Sequence, residues 1–151
     1  MKKPAIILAL FATTILCSLC TVAPSEKKDA NHNYMWFDCE ANYSTLSHPD
    51  SIRFYLQKTK DLGFDNVVVD MKSIMGEVLY DSKIAPYMGD WEGVERSRDY
   101  DMLGYFIDYG HKMGLKVFGS LNVFAGGHNY FDRGIIYGDK AHWQSICYTN
   151  G

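Results

Sequence analysis

The fold is decided by residues 62–72, which read LGFDNVVVDMK. Gly63 is typical of the left-handed residue that ends a helix. The uninterrupted β-branched run at 67–69 predicts a parallel strand that is covered on both faces. Polar residues then replace apolar ones from Asp70 onwards, where the strand meets its following loop. The stretch therefore predicts a helix, a tight turn and a buried parallel strand with a polar end.

A helix is predicted immediately before this strand. It begins at Pro49, because proline suits the first helical turn, and Ser47 or His48 is placed to cap it. Upstream of the helix, residues 34–41 are the first strand candidate, since 34–37 are all apolar. The helix residues that recur at helical spacing form one core-facing stripe: Ile52, Tyr55, Leu56, Thr59 and Leu62.

A second helix and a third strand follow downstream. The helix is predicted over 100–113 and ends at Gly114, and the strand is predicted over 115–121. Strands that alternate with helices indicate a parallel sheet, so the chain belongs to the α/β class with the order βαβαβ. The core-facing stripe of this helix consists of Met102, Leu103, Phe106, Ile107 and Gly110.

The connections between these elements are asymmetric. Those that lead from a helix into a strand are short, whereas residues 73–99 and the segment after Asn122 form long, irregular loops. This asymmetry is typical of a (β/α) barrel, whose active face is built from the strand-following loops, and an open doubly wound sheet shares it. Neither GxGxxG nor GxxxxGK(S/T) follows a strand, which disfavours a nucleotide-binding site.

The chain length limits how much of a barrel can form. A closed (β/α)8 TIM barrel needs about 250 residues, whereas this chain has 151 residues and three predicted strands. Residues 34–151 are therefore expected to be the truncated N-terminal part of such a barrel. Two open sheet edges and uncovered apolar faces would leave this part marginally stable.

The N-terminus has the organisation of an export signal. Lys2 and Lys3 precede an apolar run over 5–16 and a stretch of small residues. Residues 1–23 are therefore predicted to be a signal peptide and residues 24–33 a flexible tether. A retained membrane anchor and a lipid on Cys20 are the alternatives. Each version predicts an exported protein of the periplasm, the cell envelope or the extracellular space.

Charge and cysteine content exclude several classes of protein. The net charge is −3, and acidic residues outnumber basic ones after the signal, so no electrostatic footprint for nucleic acid is present. Cys39 and Cys147 remain after signal removal, and either a disulfide or two buried thiols would suit them. The spacing of Cys and His residues fits no zinc motif, and we expect neither a metal nor a cofactor.

Candidate functional residues lie where each strand gives way to its loop. Side chains two apart in a strand point to the same side, and the strand ends of a parallel barrel form the rim of its active face. Carboxylate and amide groups at this rim would suit a hydroxyl-rich ligand such as a glycan. Three polar pairs occupy these positions: Asp38 with Glu40, Asp70 with Lys72, and Ser120 with Asn122.

Loop residues extend this set. Tyr80, Tyr87 and Trp91 lie in the long loop and are candidates to stack on apolar sugar faces. His128, after two glycines, lies on the same side of the predicted sheet, whereas His111 fits a structural role at a helix C-terminus.

Structural interpretations compete with these roles. Asp70 and Lys72 would form an ion pair, Asp38 and Glu40 would cap loops, and Trp91 would be a packing anchor. No G-x-S-x-G motif is present, so the pattern does not favour a serine hydrolase.

Three segments together carry a resemblance to known proteins: DNVVVDMKSIMGEVLYDSKIAP (65–86), YDMLGYFIDYGHKMGLKVFGSLNVFAGG (100–127) and HWQSICYTNG (142–151). They resemble the glycosyl-hydrolase-like-10 family of exported bacterial TIM-barrel proteins. The resemblance implies a (β/α)8 barrel that hydrolyses or binds glycans, with Asp70, Lys72 and Asn122 lining the sugar site. It also implies that an acidic residue near the fourth strand would lie beyond residue 151.

The leading hypothesis is an exported glycoside hydrolase that cleaves O-glycosidic bonds. Such enzymes use two carboxyl groups as acid and as base or nucleophile. The catalytic candidates are Asp70, Asp38 and Glu40, and the substrate-binding candidates are Lys72, Asn122, His128, Tyr87 and Trp91. The alternative is a non-catalytic glycan-binding or envelope protein on the same barrel, and a metal-dependent polysaccharide deacetylase is a third class.

Overall fold

The computed structural model describes residues 32–148. The predicted signal peptide, Cys20, most of the predicted tether and residues 149–151 lie outside the described residues. Within the described range, no helix combines the length and the apolar character that crossing a bilayer would require.

The centre of the fold is a parallel sheet of three strands in a mixed α/β arrangement. The strands are β1 (Tyr34–Phe37), β2 (Asn66–Lys72) and β5 (Lys116–Leu121), in the order β1-β2-β5. Phe37 pairs with Val69, and Asp70 pairs with Ser120, so the three strand ends meet at one edge. The predicted parallel sheet is confirmed. No closed barrel forms within residues 32–148.

The first strand is shorter than predicted, because the chain turns at Asp38. Its Oδ1 atom accepts a hydrogen bond from the Ala41 N–H at 2.9 Å, and its carbonyl accepts one from Asn42 Nδ2 at 2.8 Å. These hydrogen bonds stabilise a turn at Asp38, so the strand does not continue to residue 41. The turn leads into a short helix, α1 (Tyr43–Leu46), that the sequence analysis missed.

The second helix, α2 (Pro49–Asp61), begins with proline as predicted. Its N-cap residue His48 makes no side-chain cap, and the Ser47 hydroxyl donates to the Tyr43 carbonyl of α1 instead. Gly63 closes the helix at a φ of 85°, the predicted left-handed conformation. Ile52, Leu56 and Thr59 are buried, whereas Tyr55 and Leu62 are exposed, so the core-facing stripe is narrower than predicted.

The third helix, α3 (Met102–Lys112), lies against β5. Asp101 caps it by accepting a hydrogen bond from the Gly104 N–H at 2.8 Å. A Cβ atom at Gly110 would lie 2.6 Å from Val117 Cγ2. Glycine at this position therefore allows the helix to approach the strand closely, which explains its place in the predicted stripe.

The core lies on one face of the sheet. Val67, Val69 and Met71 are fully buried on the face that carries the helices. The opposite face has a row of apolar side chains, one from each strand. Trp36 of β1 pairs with Val68 of β2, and Val68 pairs with Phe118 of β5. Trp36 is 57% exposed and Phe118 44%. Within the described residues only the helix-bearing face of the sheet is therefore covered. The β-branched run at 67–69 suggests cover on both faces, whereas the uncovered apolar face agrees with what three βα units alone are expected to leave.

The long loop after β2 contains a hairpin that the sequence analysis missed. Its strands are β3 (Asp90–Trp91) and β4 (Val94–Glu95), which pair antiparallel. The turn residues Glu92 and Gly93 both have positive φ, at 48° and 81°, as a type I′ turn requires.

Candidate functional site

Three carboxylates converge at the strand ends. Asp38 directly follows Phe37, whose register partner is Val69, so Asp38 comes level with Asp70. Glu40 lies in the turn that follows, where the charges of Asp38 and Asp70 both act on it. Parallel pairing brings Asp38 level with Asp70, whereas Glu40 approaches them through the turn that replaces the end of the predicted strand. Their role as a functional cluster stays a prediction.

Burial changes the acidity of two members of this cluster. It raises the pKa of Asp70, and the neighbouring Asp38 charge raises it further. Burial is also the largest cause that raises the pKa of Glu40, although polar contacts with the Ile74 backbone and the Ser73 hydroxyl oppose it. Both groups therefore hold their protons to a higher pH than an exposed carboxyl group.

Asp38 has a structural role in addition to its charge. One of its carboxylate oxygens is occupied by the Ala41 N–H in the turn after β1. The loop-capping interpretation is thus confirmed for Asp38. Glu40 and Asp70, with raised pKa values, are the stronger candidates for proton transfer.

Lys72 organises a loop. Its ammonium group donates to the carbonyl oxygens of Asn122 and Ala125 at 2.5 Å and of Val123 at 3.3 Å. These contacts occupy its three protons. Both Asp70 and Lys72 belong to the described part of the chain, and no ion pair joins them there. The ion-pair interpretation is therefore wrong.

An irregularity in the pairing of β2 with β5 alters the predicted alignment of the polar pairs Asp70 with Lys72 and Ser120 with Asn122. The register shifts between Asp70 and Lys72, so Lys72 lies opposite Leu121. Asn122 begins the loop after β5, and its carbonyl faces Lys72 while the residue as a whole is exposed. The structure thus connects Asn122 to Lys72 through the backbone.

The loops after β2 and β5 pack closely against each other. A Cβ atom at Gly76 would lie 2.7 Å from the Gly126 Cα atom. Gly76 also has a φ of 78°, which favours glycine. Gly76 and Gly126 therefore allow the backbones of the two loops to pack closely at the rim.

Arg133 joins three loops and was missed by the sequence analysis. Its Nε atom lies 2.8 and 2.9 Å from the two carboxylate oxygens of Glu77, and its Nη atoms lie 3.0 and 3.2 Å from those of Asp90. Glu77 follows β2 and Asp90 lies in the hairpin, so one guanidinium connects all of them. No local spacing signals this cluster, because its members are 43 and 56 residues away from Arg133.

His128 is fixed by contacts within its own loop. Its backbone N–H donates a hydrogen bond to the Arg133 carbonyl at 2.9 Å. Its Nδ1 atom accepts from the Tyr130 N–H at 3.3 Å, and its ring lies 5.3 Å from that of Phe131. These contacts do not link His128 to the carboxylate cluster. His111, by contrast, lies in the last turn of α3, as predicted for a structural residue.

Two of the three aromatic candidates of the long loop, Tyr87 and Trp91, are held by contacts with the protein. Trp91 is 8% exposed and meets Phe131 edge to face with ring centroids 5.0 Å apart. The Tyr87 hydroxyl lies 3.0 Å from the Ser97 carbonyl and 3.1 Å from the Tyr100 carbonyl. The packing-anchor interpretation therefore describes Trp91 better than a stacking platform does.

Exposed aromatic rings occur elsewhere on the rim. A cleft of about 370 Å³ extends from Lys72 along Pro86 and Phe124 to Trp143. Phe124 is 101% exposed and Trp143 is 62% exposed. Phe124 could have been predicted as a rim residue because it comes just after the third strand. Trp143 follows no strand, so its local sequence does not indicate a place at the rim.

The cysteines do not pair. Cys39 and Cys147 are both free, and Cys39 is buried whereas Cys147 is exposed. The disulfide is therefore absent from the described part, and the alternative of two buried thiols fails for Cys147. Among residues 32–148, no group of three or more His, Cys, Asp or Glu side chains is arranged to hold a metal ion.

Comparisons with known proteins give one informative similarity. The chain is 28% identical to an S-layer-related protein of Niallia circulans over 76% of its own length. That alignment spans 8% of the relative, so the chain corresponds to a small part of a much longer protein. No protein-family model matches the chain.

Proposed function

We propose that this chain is the first βαβαβ portion of a (β/α)8 barrel in an exported glycoside hydrolase-like protein. The proposal assigns it to the glycosyl-hydrolase-like-10 type and gives it a glycan of the cell envelope as substrate. The observation that carries the proposal is the convergence of Asp38, Glu40 and Asp70 at the carboxyl ends of parallel strands.

The open face of the sheet supports the barrel. Trp36, Val68 and Phe118 form a row on the face opposite the helices, where a closed barrel has its packed interior. Both outer strands, β1 and β5, also have a free edge within the described residues. Further strands added at these edges would cover the row and satisfy the edge hydrogen bonds.

The acidity of the cluster supports the chemistry. A general acid must hold its proton near the working pH, and burial that raises a carboxyl pKa achieves this. Glu40 and Asp70 meet this condition. In the proposed reaction one of them protonates the leaving glycosidic oxygen, while an ionised partner acts as base or nucleophile.

The proposed location rests on two observations. The predicted signal peptide favours export. The relative that matches the chain is named S-layer-related, a term that refers to the cell surface. We therefore place the protein in the cell envelope.

A non-catalytic glycan-binding protein is the second candidate. The observation that favours it is the cleft at the rim, which is lined by the exposed aromatic residues Phe124 and Trp143. Such rings stack on the apolar faces of sugars. Lys72, which borders the cleft, keeps the loop that carries Phe124 in place.

One experiment separates the two functions. The complete protein that contains this βαβαβ portion, and its variants, are incubated with purified cell-envelope polysaccharide, and both reducing-end release and bound polysaccharide are measured. We expect Asp70→Asn and Glu40→Gln to lower reducing-end release by roughly 10²-fold or more and to leave binding intact. Asp108→Asn, an exposed aspartate on α3 that pairs with Lys112, is the matched control.

The aromatic variants decide the alternative. If the protein only binds glycan, the wild type releases no reducing ends, and Phe124→Ala with Trp143→Ala lowers the bound polysaccharide. If neither binding nor release is detected for the wild type, both proposed functions are wrong.

A further inference from the structure

Arg96 is a buried cation within a cage of tyrosine rings. It follows the hairpin strand β4 and is 8% exposed. Its guanidinium carbon lies 4.0 Å from the ring centroid of Tyr43, 5.0 Å from that of Tyr100 and 6.0 Å from that of Tyr87. In such contacts the negative faces of the aromatic rings attract the guanidinium charge.

The cage is held in place by the tyrosine hydroxyl groups. Tyr43 donates to the Met88 carbonyl at 3.0 Å, and Tyr100 donates to the Leu46 carbonyl at 2.6 Å. The Tyr87 hydroxyl contacts the Tyr100 carbonyl. The rings are thus anchored to the backbone, and their hydroxyl protons are already used.

One edge of the guanidinium is left without partners. Among the described residues, Arg96 Nε and Nη2 are buried side-chain nitrogens without a hydrogen-bond partner. Nη1 lies 3.9 Å from Met102 Sδ. Nε and Nη2 together form the side of the fork that binds a planar carboxylate with two parallel hydrogen bonds.

The thiol and phenol groups around Arg96 do not supply a negative charge. Burial raises the pKa of Cys39, Tyr43 and Tyr100, and for each of them this effect outweighs the opposing influence of Arg96. These groups are therefore neutral near pH 7. The Asp90 carboxylate, which acts weakly on Tyr43, is bonded to both Nη atoms of Arg133.

The geometry points to an anion site in which the Nε–Nη2 edge of Arg96 binds a small carboxylate. A buried charge is costly unless it is paired, and ring faces do not satisfy in-plane N–H groups. Arg96 also lines an open cleft together with Gly89, Asp90, Glu95 and Ser97, and a carboxylate that enters from this cleft must displace neighbouring side chains to reach the buried edge. The site involves none of the three rim carboxylates and does not depend on the proposed function.

Acetate is the probe for this site. Sodium acetate is added at constant ionic strength to the ¹⁵N-labelled full chain, and the arginine Nε–H signals are followed by NMR. We expect the Arg96 signal, assigned from its loss in Arg96→Lys, to shift saturably in the millimolar range. The melting temperature should rise over the same concentration range, because acetate binds the folded state.

Variants control for indirect effects. Arg96→Met should show no acetate-dependent change in melting temperature, whereas Tyr87→Phe, which keeps the ring but loses the hydroxyl, should retain it. If Arg96→Met does not fold, the wild-type NMR titration alone decides. An unchanged Arg96 Nε–H signal would overturn the inference, and so would equal acetate responses in wild type and Arg96→Met.

The protein's own Glu95 is the remaining rival. If Glu95→Gln shifts the Arg96 Nε–H signal and abolishes the acetate response, the carboxylate that binds the edge is Glu95. This result would also overturn the inference. An unaltered titration in Glu95→Gln supports an external carboxylate.

Discussion

At the scale of single residues, acidity at the rim depends on burial and on close negative charges. Asp70 and Glu40 have raised pKa values for these two reasons. The positions of both residues were predictable, because parallel strands end together. The role of Lys72 was not, because its partners are carbonyl oxygens 50 to 53 residues away, and backbone acceptors leave no trace in the sequence.

The raised pKa of Glu40 predicts a pH-dependent cost to stability. The folded state binds this proton more tightly than the unfolded state does, so stability falls as pH rises from the ordinary glutamate pKa through the raised one. Glu40→Gln removes this effect. We expect a melting temperature above that of wild type at pH 7 and a flatter pH profile above the ordinary glutamate pKa.

Calorimetry at several pH values checks this expectation. Asp50→Asn on α2, an exposed aspartate paired with Arg53, is the control and should leave the pH profile unchanged. Equal pH profiles for wild type and Glu40→Gln would contradict the account.

At the scale of elements, the helices and strands followed from the sequence more fully than their connections did. Pro49, Gly63 and Gly114 mark helix ends by a local mechanism that needs no tertiary contact. The hairpin at 90–95 was missed because Glu-Gly is a weaker turn signal than Asn-Gly. The loop packing depends on Arg133, whose acidic partners come from other loops.

The Arg133 cluster predicts a large loss of stability in Arg133→Met. The Glu77 side chain is 11% exposed and would be left as an uncompensated, nearly buried carboxylate. We expect the free energy of unfolding to fall by about 3 kcal/mol. Arg98→Met is the matched control, since Arg98 and Asp81 are exposed and their pair contributes at most about 1 kcal/mol.

Urea denaturation of the two variants measures the difference. Equal losses in Arg133→Met and Arg98→Met would show that the Glu77–Arg133–Asp90 cluster has no special role in holding the loops.

At the scale of the whole molecule, the sheet has one covered face and one open face. The sequence predicted a parallel sheet correctly, but a β-branched run such as 67–69 cannot show which residues cover each face of the strand, because those residues are not part of the run. Trp36 and Phe118 consequently remain exposed on the open face. Apolar patches of this kind mark surfaces that bury against something else.

The open face predicts dye binding. We expect the full chain to bind the fluorescent dye ANS, and Trp36→Thr with Phe118→Thr to reduce the fluorescence at least twofold. Phe54→Thr is the control, because Phe54 is 53% exposed on the helix α2. Equal fluorescence losses in the control and in the double variant would contradict an apolar open face.

The central claim is that partly buried, mutually repelling carboxylates form the rim of the proposed glycan site. Its most direct test is an NMR titration of the Asp70 and Glu40 carboxyl carbons in the full chain, repeated in Asp38→Asn. The account predicts that both groups titrate above the ordinary range of exposed carboxyl groups and that the Asp70 midpoint falls when the Asp38 charge is removed. Midpoints in the ordinary range, or an Asp70 midpoint that Asp38→Asn leaves unchanged, would contradict it.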